Sequence, residues 1–511
     1  MMFFNQQKQN FEPLSLIPST LKSSLAISDN VLCISSAIKN DPLVLELLSD
    51  LKSRKIIEEY AFYSPTEFHD KYSHSTLSKI EVKNELQNFV KELLQTAFNE
   101  KASDIHIKDM GTHGLIRFRI DGMLIDHKIY KADFCRAVIR AIYGSMIQSG
   151  EGHFSYRERQ EGRIVNDNYL PKGVFSVRVH TEPTEKKDSP EGIGSCMYLR
   201  LLYDATNATG SLEERLTRLG FLDNQIESIR YLTTRTGLNI LSGATGHGKS
   251  TALKHIIESI KIENPQKAFM SVEDPPEFHL EGIDQIAIST KKIENRGIAY
   301  TDAIAGAMRS DVDCLLIGEI RYLEATKAAI NGAMTGHAIW GTLHASDAIG
   351  IILRMINILE EKDSSNAIKH ICEPSVISGL EYQRLIPMLC PHCSRKLHDV
   401  IDSYNANMAE KINRALKAED ENVRVIGSGC EYCNYKGIKG QQIAAEVIAT
   451  DVTFFNHLKQ NKLIKAKEYW IKEKGGITHV QHALKYVKEG RADPFITEDR
   501  LGLPLDFEVI S

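Results

Sequence analysis

The sequence lacks any apolar run close to the roughly 20 residues that a membrane-spanning helix needs. Its start, Met1–Lys8, also lacks the charged segment and long apolar core of a secretory signal peptide. Together these absences predict a cytoplasmic protein.

A strong charge of either sign is missing too, because 62 basic side chains face 67 acidic ones, for a formal net charge of −5. This balance argues against a protein that holds nucleic acid over a large surface. The nine cysteines are an odd number and follow no secretion signal, which argues against a disulfide framework. At 511 residues, with 42% apolar and 25% charged side chains, the chain is expected to be globular and to form several domains.

What the sequence does contain is a glycine-rich segment between two predicted elements. Residues 237–242 predict a short strand, and the apolar spacing of residues 252–260 predicts a helix. In this context the pattern GxxxxGK[ST] indicates a phosphate-binding loop, whereas a chance glycine-rich turn is disfavoured. Lys249 is expected to reach the β- and γ-phosphates of ATP, and the Ser250 hydroxyl to bind Mg²⁺. The residues expected to bind the nucleotide are Gly243, Ala244, Thr245, Gly246, His247, Gly248, Lys249, Ser250 and Thr251.

Two apolar strands predicted downstream end in acidic residues. The first, residues 268–274, ends at Glu273 and Asp274, and the second, residues 313–319, ends at Glu319. Carboxylates beside a phosphate loop can help to hold Mg²⁺ or orient the attacking water, and Glu319 is placed to polarise that water. Buried strands with capping acids are the alternative, but the ordered series of three motifs favours catalysis.

Two histidines, His337 and His344, lie seven residues apart on a strand-like run. Core residues, metal ligands and sensors of the γ-phosphate are all possible interpretations. No third ligand lies nearby in the sequence, which counts against a metal ion. Their position after the second acidic strand favours γ-phosphate sensing.

Four of the cysteines form two CxxC pairs, Cys390/Cys393 and Cys430/Cys433, separated by residues 394–429. Four thiolates suit a closed tetrahedral Zn²⁺ site, and a redox pair or four free thiols are less favoured in the predicted compartment. The separation predicts that an inserted segment, largely the helical-looking Asp402–Glu419, loops out.

Upstream, apolar and polar residues alternate in four short runs, which predicts half-exposed strands. Asp121 and Gly122 supply a hairpin turn between two of them. Alternation places Arg178 and Arg200 away from their apolar neighbours. Taken alone, these two are interpreted as solvent-facing arginines of a sheet.

The order and wording of these motifs resemble the secretion ATPases of type IV pilus assembly and type II secretion. The family's Walker A motif corresponds to Gly243–Thr251, its aspartate box to Val272–Glu277 and its Walker B motif to Leu316–Arg321. Its histidine box corresponds to residues 335–344. Ala102–His106, Arg119–Gly122 and Glu161–Arg163 are similar to the family's PAS-like N-terminal domain.

The resemblance implies a homo-hexameric ATPase that acts at an inner-membrane platform protein as a peripheral cytoplasmic component, without direct nucleic acid. It also implies that Arg178 and Arg200 approach the nucleotide phosphates across a domain cleft. The tetracysteine segment matches the assembly-type ATPases, and retraction-type and type IV secretion ATPases usually lack it. Lys108, Tyr322, Gly341, Ala345 and His247 depart from the usual family residues, which hints at a type IVb or conjugative thin-pilus branch.

The predicted fold class is α/β. A PAS-like α+β domain (100–205) follows an accessory region (1–99), and a linker (206–236) leads into a RecA-like P-loop ATPase core (237–387). A zinc-binding insertion (388–440) and a helical C-terminal region (441–511) complete the chain. The competing hypotheses are a retraction or type IV secretion motor, a scaffold that binds ATP without turnover, and a DNA-processing hexamer.

Overall fold

The computed structural model describes residues 21, 24–28, 31–72, 76–150, 154–189, 192–203, 210–288, 296–359, 368, 369, 371–401, 416 and 422–505. The chain divides into two units, Met1–Phe89 and Val90–Ser511. Apart from Leu416, the inserted segment predicted at 402–419 lies outside the described residues.

The first unit is built on a small three-stranded sheet. In it, β2 pairs antiparallel with β1 and parallel with β3. Helix α1 covers the sheet and begins after Asp41, whose side chain accepts a hydrogen bond from Leu43 N. Its elements are β1 (Leu25–Ser28), β2 (Val31–Ser35), α1 (Pro42–Ser53), β3 (Glu59–Tyr63) and α2 (Pro65–Tyr72).

The second unit begins within α3 (Thr76–Asn99) and first forms a seven-stranded antiparallel sheet in the order β6-β5-β4-β10-β9-β8-β7. Its strands alternate as predicted: one face is buried, and the other carries charged and aromatic polar side chains. Asp121 and Gly122 form the predicted turn, with φ of 50° and 80°. The elements are β4 (Ala102–Asp109), β5 (His113–Ile120), β6 (Met123–Lys131), α4 (Ala132–Ser145), β7 (Ser149–Gly150), β8 (Gln160–Ile164), β9 (Val174–Glu185) and β10 (Ile193–Tyr203).

A second seven-stranded sheet follows, in the order β13-β12-β14-β15-β11-β16-β19. Its ladders are parallel except for the antiparallel pair β16–β19, and two buried apolar clusters line the sheet. The strands are β11 (Gly237–Ser242), β12 (Phe269–Glu273), β13 (Asp284–Ala287), β14 (Cys314–Ile317), β15 (Ala338–Leu343), β16 (Ile377–Leu389) and β19 (Ile438–Ala449). The helices are α5 (Leu212–Leu219), α6 (Asp223–Thr233), α7 (Lys249–Glu263), α8 (Arg296–Met308), α9 (Leu323–Met334) and α10 (Ala348–Leu359). The predicted α/β fold class is confirmed.

Strand β19 is the last strand of this sheet, and side chains bind its outer edge. Such an edge otherwise presents unpaired backbone groups. In the middle of β19, four hydrogen bonds satisfy such groups: Tyr486 Oη to Ile443 O (2.7 Å), Gln225 Nε2 to Ala445 O (2.6 Å), Ala445 N to His482 Nδ1 (3.0 Å) and Trp470 Nε1 to Val447 O (3.1 Å). Three of these side chains come from the C-terminal helices, which therefore close the sheet.

The C-terminal helices are α11 (Val452–Lys459), α12 (Leu463–Lys474), α13 (His479–Lys488) and α14 (Pro494–Leu501). A two-stranded ribbon, β17 (Arg395–Lys396) with β18 (Arg424–Val425), lies between β16 and β19 in the chain. Among the described helices, none is both long enough and apolar enough to cross a bilayer.

The edge contacts predict that acid destabilises the protein. His482 is fully buried and accepts a hydrogen bond, and its burial lowers its pKa to about 4. The unfolded chain takes up this proton below about pH 6.5, whereas the folded protein does not until about pH 4. The contribution of His482 to the free energy of unfolding is therefore fully present above pH 6.5. It falls by up to about 3 kcal/mol as the pH drops towards 4.

The check is denaturant unfolding between pH 7 and pH 4.5 for the wild type and for His482→Asn, whose amide oxygen accepts the same bond without titrating. His106, His247 and His255, whose pKa values burial also lowers to about 4, are unchanged in both proteins and cancel. The variant should lose less stability with acid, and identical pH slopes would rule out a neutral, buried His482.

Candidate active site

The glycine-rich loop lies between the end of β11 at Ser242 and the start of α7 at Lys249. Gly243, Gly246 and Gly248 have φ values of 148°, 79° and 77°, which residues other than glycine rarely adopt. At Gly243 an added Cβ would also lie 2.4 Å from Gln383 O. The curled backbone leads directly into the N-terminus of a 15-residue helix, a geometry that is suited to binding an anion.

The ammonium group of Lys249 lies in the curve of this loop. Its Nζ donates to Gly243 O at 2.8 Å and to Ala244 O at 3.1 Å. Burial lowers the pKa of Lys249, while the nearby carboxylates of Glu319 and Glu277 oppose that shift. The next residue, Ser250, is half-buried in the first turn of α7. A cation and a hydroxyl therefore lie side by side where the glycine loop meets α7.

The two predicted acids come from neighbouring strands. Glu273 ends β12, is buried, and accepts hydrogen bonds from Ser271 Oγ (2.7 Å) and Gln285 Nε2 (3.0 Å). Its burial raises its pKa. Glu319 follows β14 and is ion-paired with Arg321, and its Oε1 lies 3.4 Å from His344 Nε2. Glu319 is the more accessible of the two acids, while Glu273 is fixed by its neighbours.

The structure separates the two histidines. His344 follows β15, and its Nδ1 lies 2.9 Å from Gly243 O, so the imidazole connects the glycine loop with Glu319. His337 precedes the same strand and contacts Thr335 Oγ1 and Gly332 O instead. At about 3.3 Å per residue the two histidines are roughly 20 Å apart. His344 therefore joins the site, the structure does not bring His337 to it, and the two cannot share a metal ion.

An arginine that the site prediction omitted joins the antiparallel sheet to the aspartate box. Arg163 Nη2 donates to Pro276 O at 2.8 Å, and its Nε donates to Ser176 Oγ at 2.9 Å. Burial lowers the pKa of Arg163, and the nearby Glu273 opposes that shift. The only sequence signal for Arg163 was the short match at 161–163.

A second pair of contacts strengthens this connection. Arg296, at the start of α8, lies 3.1 Å from Glu161 Oε2 and 3.7 Å from Asp274 Oδ2. Nothing in the local sequence around Arg296 indicates that role, because its partner Glu161 belongs to the other sheet. Together Arg163 and Arg296 hold the antiparallel sheet against the aspartate box.

Arg178 and Arg200 lie beside Arg163 in one row across β8, β9 and β10. Arg178 Nη2 is 3.8 Å from Glu161 Oε1, and Arg200 Nε is 2.9 Å from Asp104 Oδ1. Both predicted sensors therefore lie on the polar face of the sheet, where they pair with carboxylates of that sheet.

The four paired cysteines meet where β16 ends and β19 begins. Their sulfurs all lie within 4.8 Å of one another, with Cys390–Cys430, Cys393–Cys433 and Cys430–Cys433 at 3.7, 3.8 and 3.8 Å. Four thiolates about 2.3 Å from one tetrahedral Zn²⁺ would be about 3.8 Å apart. Cys430 N and Gly437 N also donate to Cys433 Sγ, both at 3.2 Å. The donor set thus fits a tetrahedral, thiolate-bound metal ion.

The sequence is similar to those of known secretion and pilus-assembly proteins. A profile of the family described as "Type II/IV secretion system protein" matches residues 80–499. The type IV pilus assembly ATPase PilB of Thermus thermophilus is 29% identical over 369 residues, 71% of this chain and 37% of that protein. The type II secretion system protein E of Aeromonas hydrophila is 30% identical over 367 residues, 71% of this chain and 65% of that protein. The chain thus spans less than two thirds of the length of either relative.

The fold has a solved counterpart in the X-ray structure of the Legionella pneumophila ATPase DotB. The TM-score is 0.57 at 19% sequence identity, over 81% of this chain and 95% of that one. This likeness concerns the fold alone. The family profile, in contrast, covers both sheets, the glycine loop and the paired cysteines. The protein therefore belongs to the type II/IV secretion system protein family.

Proposed function

We propose that this protein is an ATP-hydrolysing motor, and that it works as a homo-hexamer to power assembly of a type IV pilus or of a type II secretion pseudopilus. The main support is the convergence of Lys249, Glu319 and His344 on one glycine loop. A scaffold that only binds ATP would have no use for a carboxylate held beside the phosphate loop.

Each group has a distinct part in hydrolysis. The loop N–H groups and Lys249 bind the phosphates, and Ser250 with Glu273 would hold Mg²⁺, which neutralises phosphate charge. Glu319, accessible and flanked by Arg321 and His344, orients and polarises the attacking water. His344 senses the γ-phosphate, because it contacts both the loop and Glu319. Thr245 and Thr251 complete the loop, and His337 has no part in hydrolysis within its own subunit.

The seven-stranded antiparallel sheet is the moving part of the motor. Arg163 and Arg296 join it to the aspartate box, and Arg178 and Arg200 lie in the same row. When nucleotide binds, Arg178 would leave Glu161 and Arg200 would leave Asp104, and both would bind phosphate oxygens instead. This change of partners would couple nucleotide binding to domain closure. The movement of the closing domain would then be transmitted to an inner-membrane platform protein from the cytoplasmic side, with no nucleic acid involved.

Replacing the proposed base should abolish turnover but leave binding intact. Glu319→Gln removes the negative charge and keeps the shape, so we expect kcat to fall by at least about 100-fold while ATP still binds. Phosphate release and binding of a fluorescent ATP analogue measure the two effects. Glu324→Gln is the matched control, because Glu324 is an exposed acid of α9 that pairs with Lys327.

Full turnover in Glu319→Gln would remove this residue from the mechanism. A wild-type protein that binds ATP but shows no turnover, even as an assembled ring, would support the scaffold instead.

The tetracysteine cluster predicts about one zinc ion per chain. Cys430→Ala should lose the ion and lower the melting temperature, because the knuckles join the ends of β16 and β19. Elemental analysis and thermal unfolding measure both effects. Cys372→Ala removes a buried thiol elsewhere and should keep the metal. Wild-type protein that takes up no zinc, even when it is supplied, would contradict the proposed site.

A further inference from the structure

Strand β16 continues past the end of β11 and lies beside the glycine loop. The parallel pairing of β11 with β16 stops at Ser242 and Tyr382, whereas β16 runs on to Leu389. The next residues, Gln383 to Leu385, therefore lie level with the loop. They form a wall against which the loop packs, since Gly243 directly abuts Gln383 O.

The loop residue His247 is fastened to this wall by two hydrogen bonds. Leu385 N donates to His247 Nδ1 at 2.9 Å, and Gln383 Nε2 donates to His247 O at 2.5 Å. Gly248, the last glycine before α7, also faces the Gln383 side chain. The loop is thus held at its first glycine and again just before the helix begins.

The first of these bonds requires a neutral imidazole with its lone pair on Nδ1, because the partner is an N–H donor. The surroundings enforce that state. Burial, followed by the positive charges of Arg384, Lys249 and Arg500, lowers the pKa of His247 to about 4. The ring therefore remains a hydrogen-bond acceptor throughout the physiological pH range.

We propose that His247 is a positioning residue that pins the phosphate-binding loop to β16 and so holds the loop ready for nucleotide. A segment containing three glycines loses much conformational freedom on ordering, and a loop ordered in advance spares the nucleotide that cost. His247 acts through the loop backbone and does not need to touch the phosphate. This inference rests on the proposed nucleotide-binding function.

The test compares His247→Ala with His247→Asn, because the Asn amide oxygen can take the place of Nδ1 as acceptor. Loss of one buried hydrogen bond should weaken binding of fluorescent ATP and ADP analogues about tenfold in the Ala variant. The Asn variant should stay within about threefold of wild type. In steady-state hydrolysis the Ala variant should show a raised KM with little change in kcat, as expected when uniform binding is lost.

Two further variants sharpen the result. Gln383→Ala removes the second bond and should weaken binding in the same direction. His127→Ala removes an exposed histidine of β6 and should change neither constant. Thermal unfolding of every variant shows whether the fold is intact. If the Ala variant does not fold, the comparison of Asn with wild type and the Gln383→Ala affinity decide the matter.

The outcomes distinguish the two proposals. A wild-type protein without affinity for ATP would overturn the proposed function. A wild type that binds ATP together with a folded Ala variant of equal affinity would overturn only the role of His247. Equal weakening in Ala and Asn would also overturn it, because the acceptor atom would then be irrelevant.

Discussion

The proposed nucleotide site and the tetracysteine cluster both depend on the backbone hydrogen bonding of β16. This strand has 13 residues, against six in β11, so it serves first as the parallel neighbour of β11 and then as a wall for the glycine loop. Its opposite edge pairs with β19 over nearly its whole length. Cys390 follows its last residue and donates its N–H to Gly437 O at 2.9 Å. One strand therefore positions both the glycine loop and the tetracysteine cluster.

Charge distribution around the loop explains why the two acids differ. Glu273 is buried and accepts hydrogen bonds from Ser271 and Gln285, and its burial raises its pKa, so its ionisation costs free energy in this fold. Glu319 lies between Arg321 and His344 and is the more accessible of the two carboxylates. Arg163 approaches Glu273 from the other sheet and supplies a compensating charge. The arrangement gives one carboxylate that is fixed by its neighbours and one that is accessible.

Local patterns in the sequence predicted much of this arrangement, and long-range partners account for what they did not. The periodicity of the flanking residues predicted the strand and the helix around the loop. The apolar runs downstream predicted that Glu273 and Glu319 lie at the ends of strands. Alternation assigned Arg178 and Arg200 to the polar face, but it contains no information on which carboxylates lie within reach. His247 could not be explained because its partner Leu385 is 138 residues away. The seven-residue spacing of His337 and His344 does not reveal that the two histidines flank opposite ends of one strand.

The edge of β19 shows how the C-terminal helices complete a sheet that no further strand extends. Among the described residues, side chains from α6, α12 and α13 supply an amide donor, an imidazole acceptor, an indole donor and a hydroxyl donor to β19. Each bond must be made at a fixed position, so these helices cannot slide along the strand without leaving a buried polar group unpaired. Backbone groups that are satisfied in this way are not free to pair with another strand. The helices therefore fix β19, β19 fixes β16, and β16 in turn holds the loop at which the chemistry is proposed.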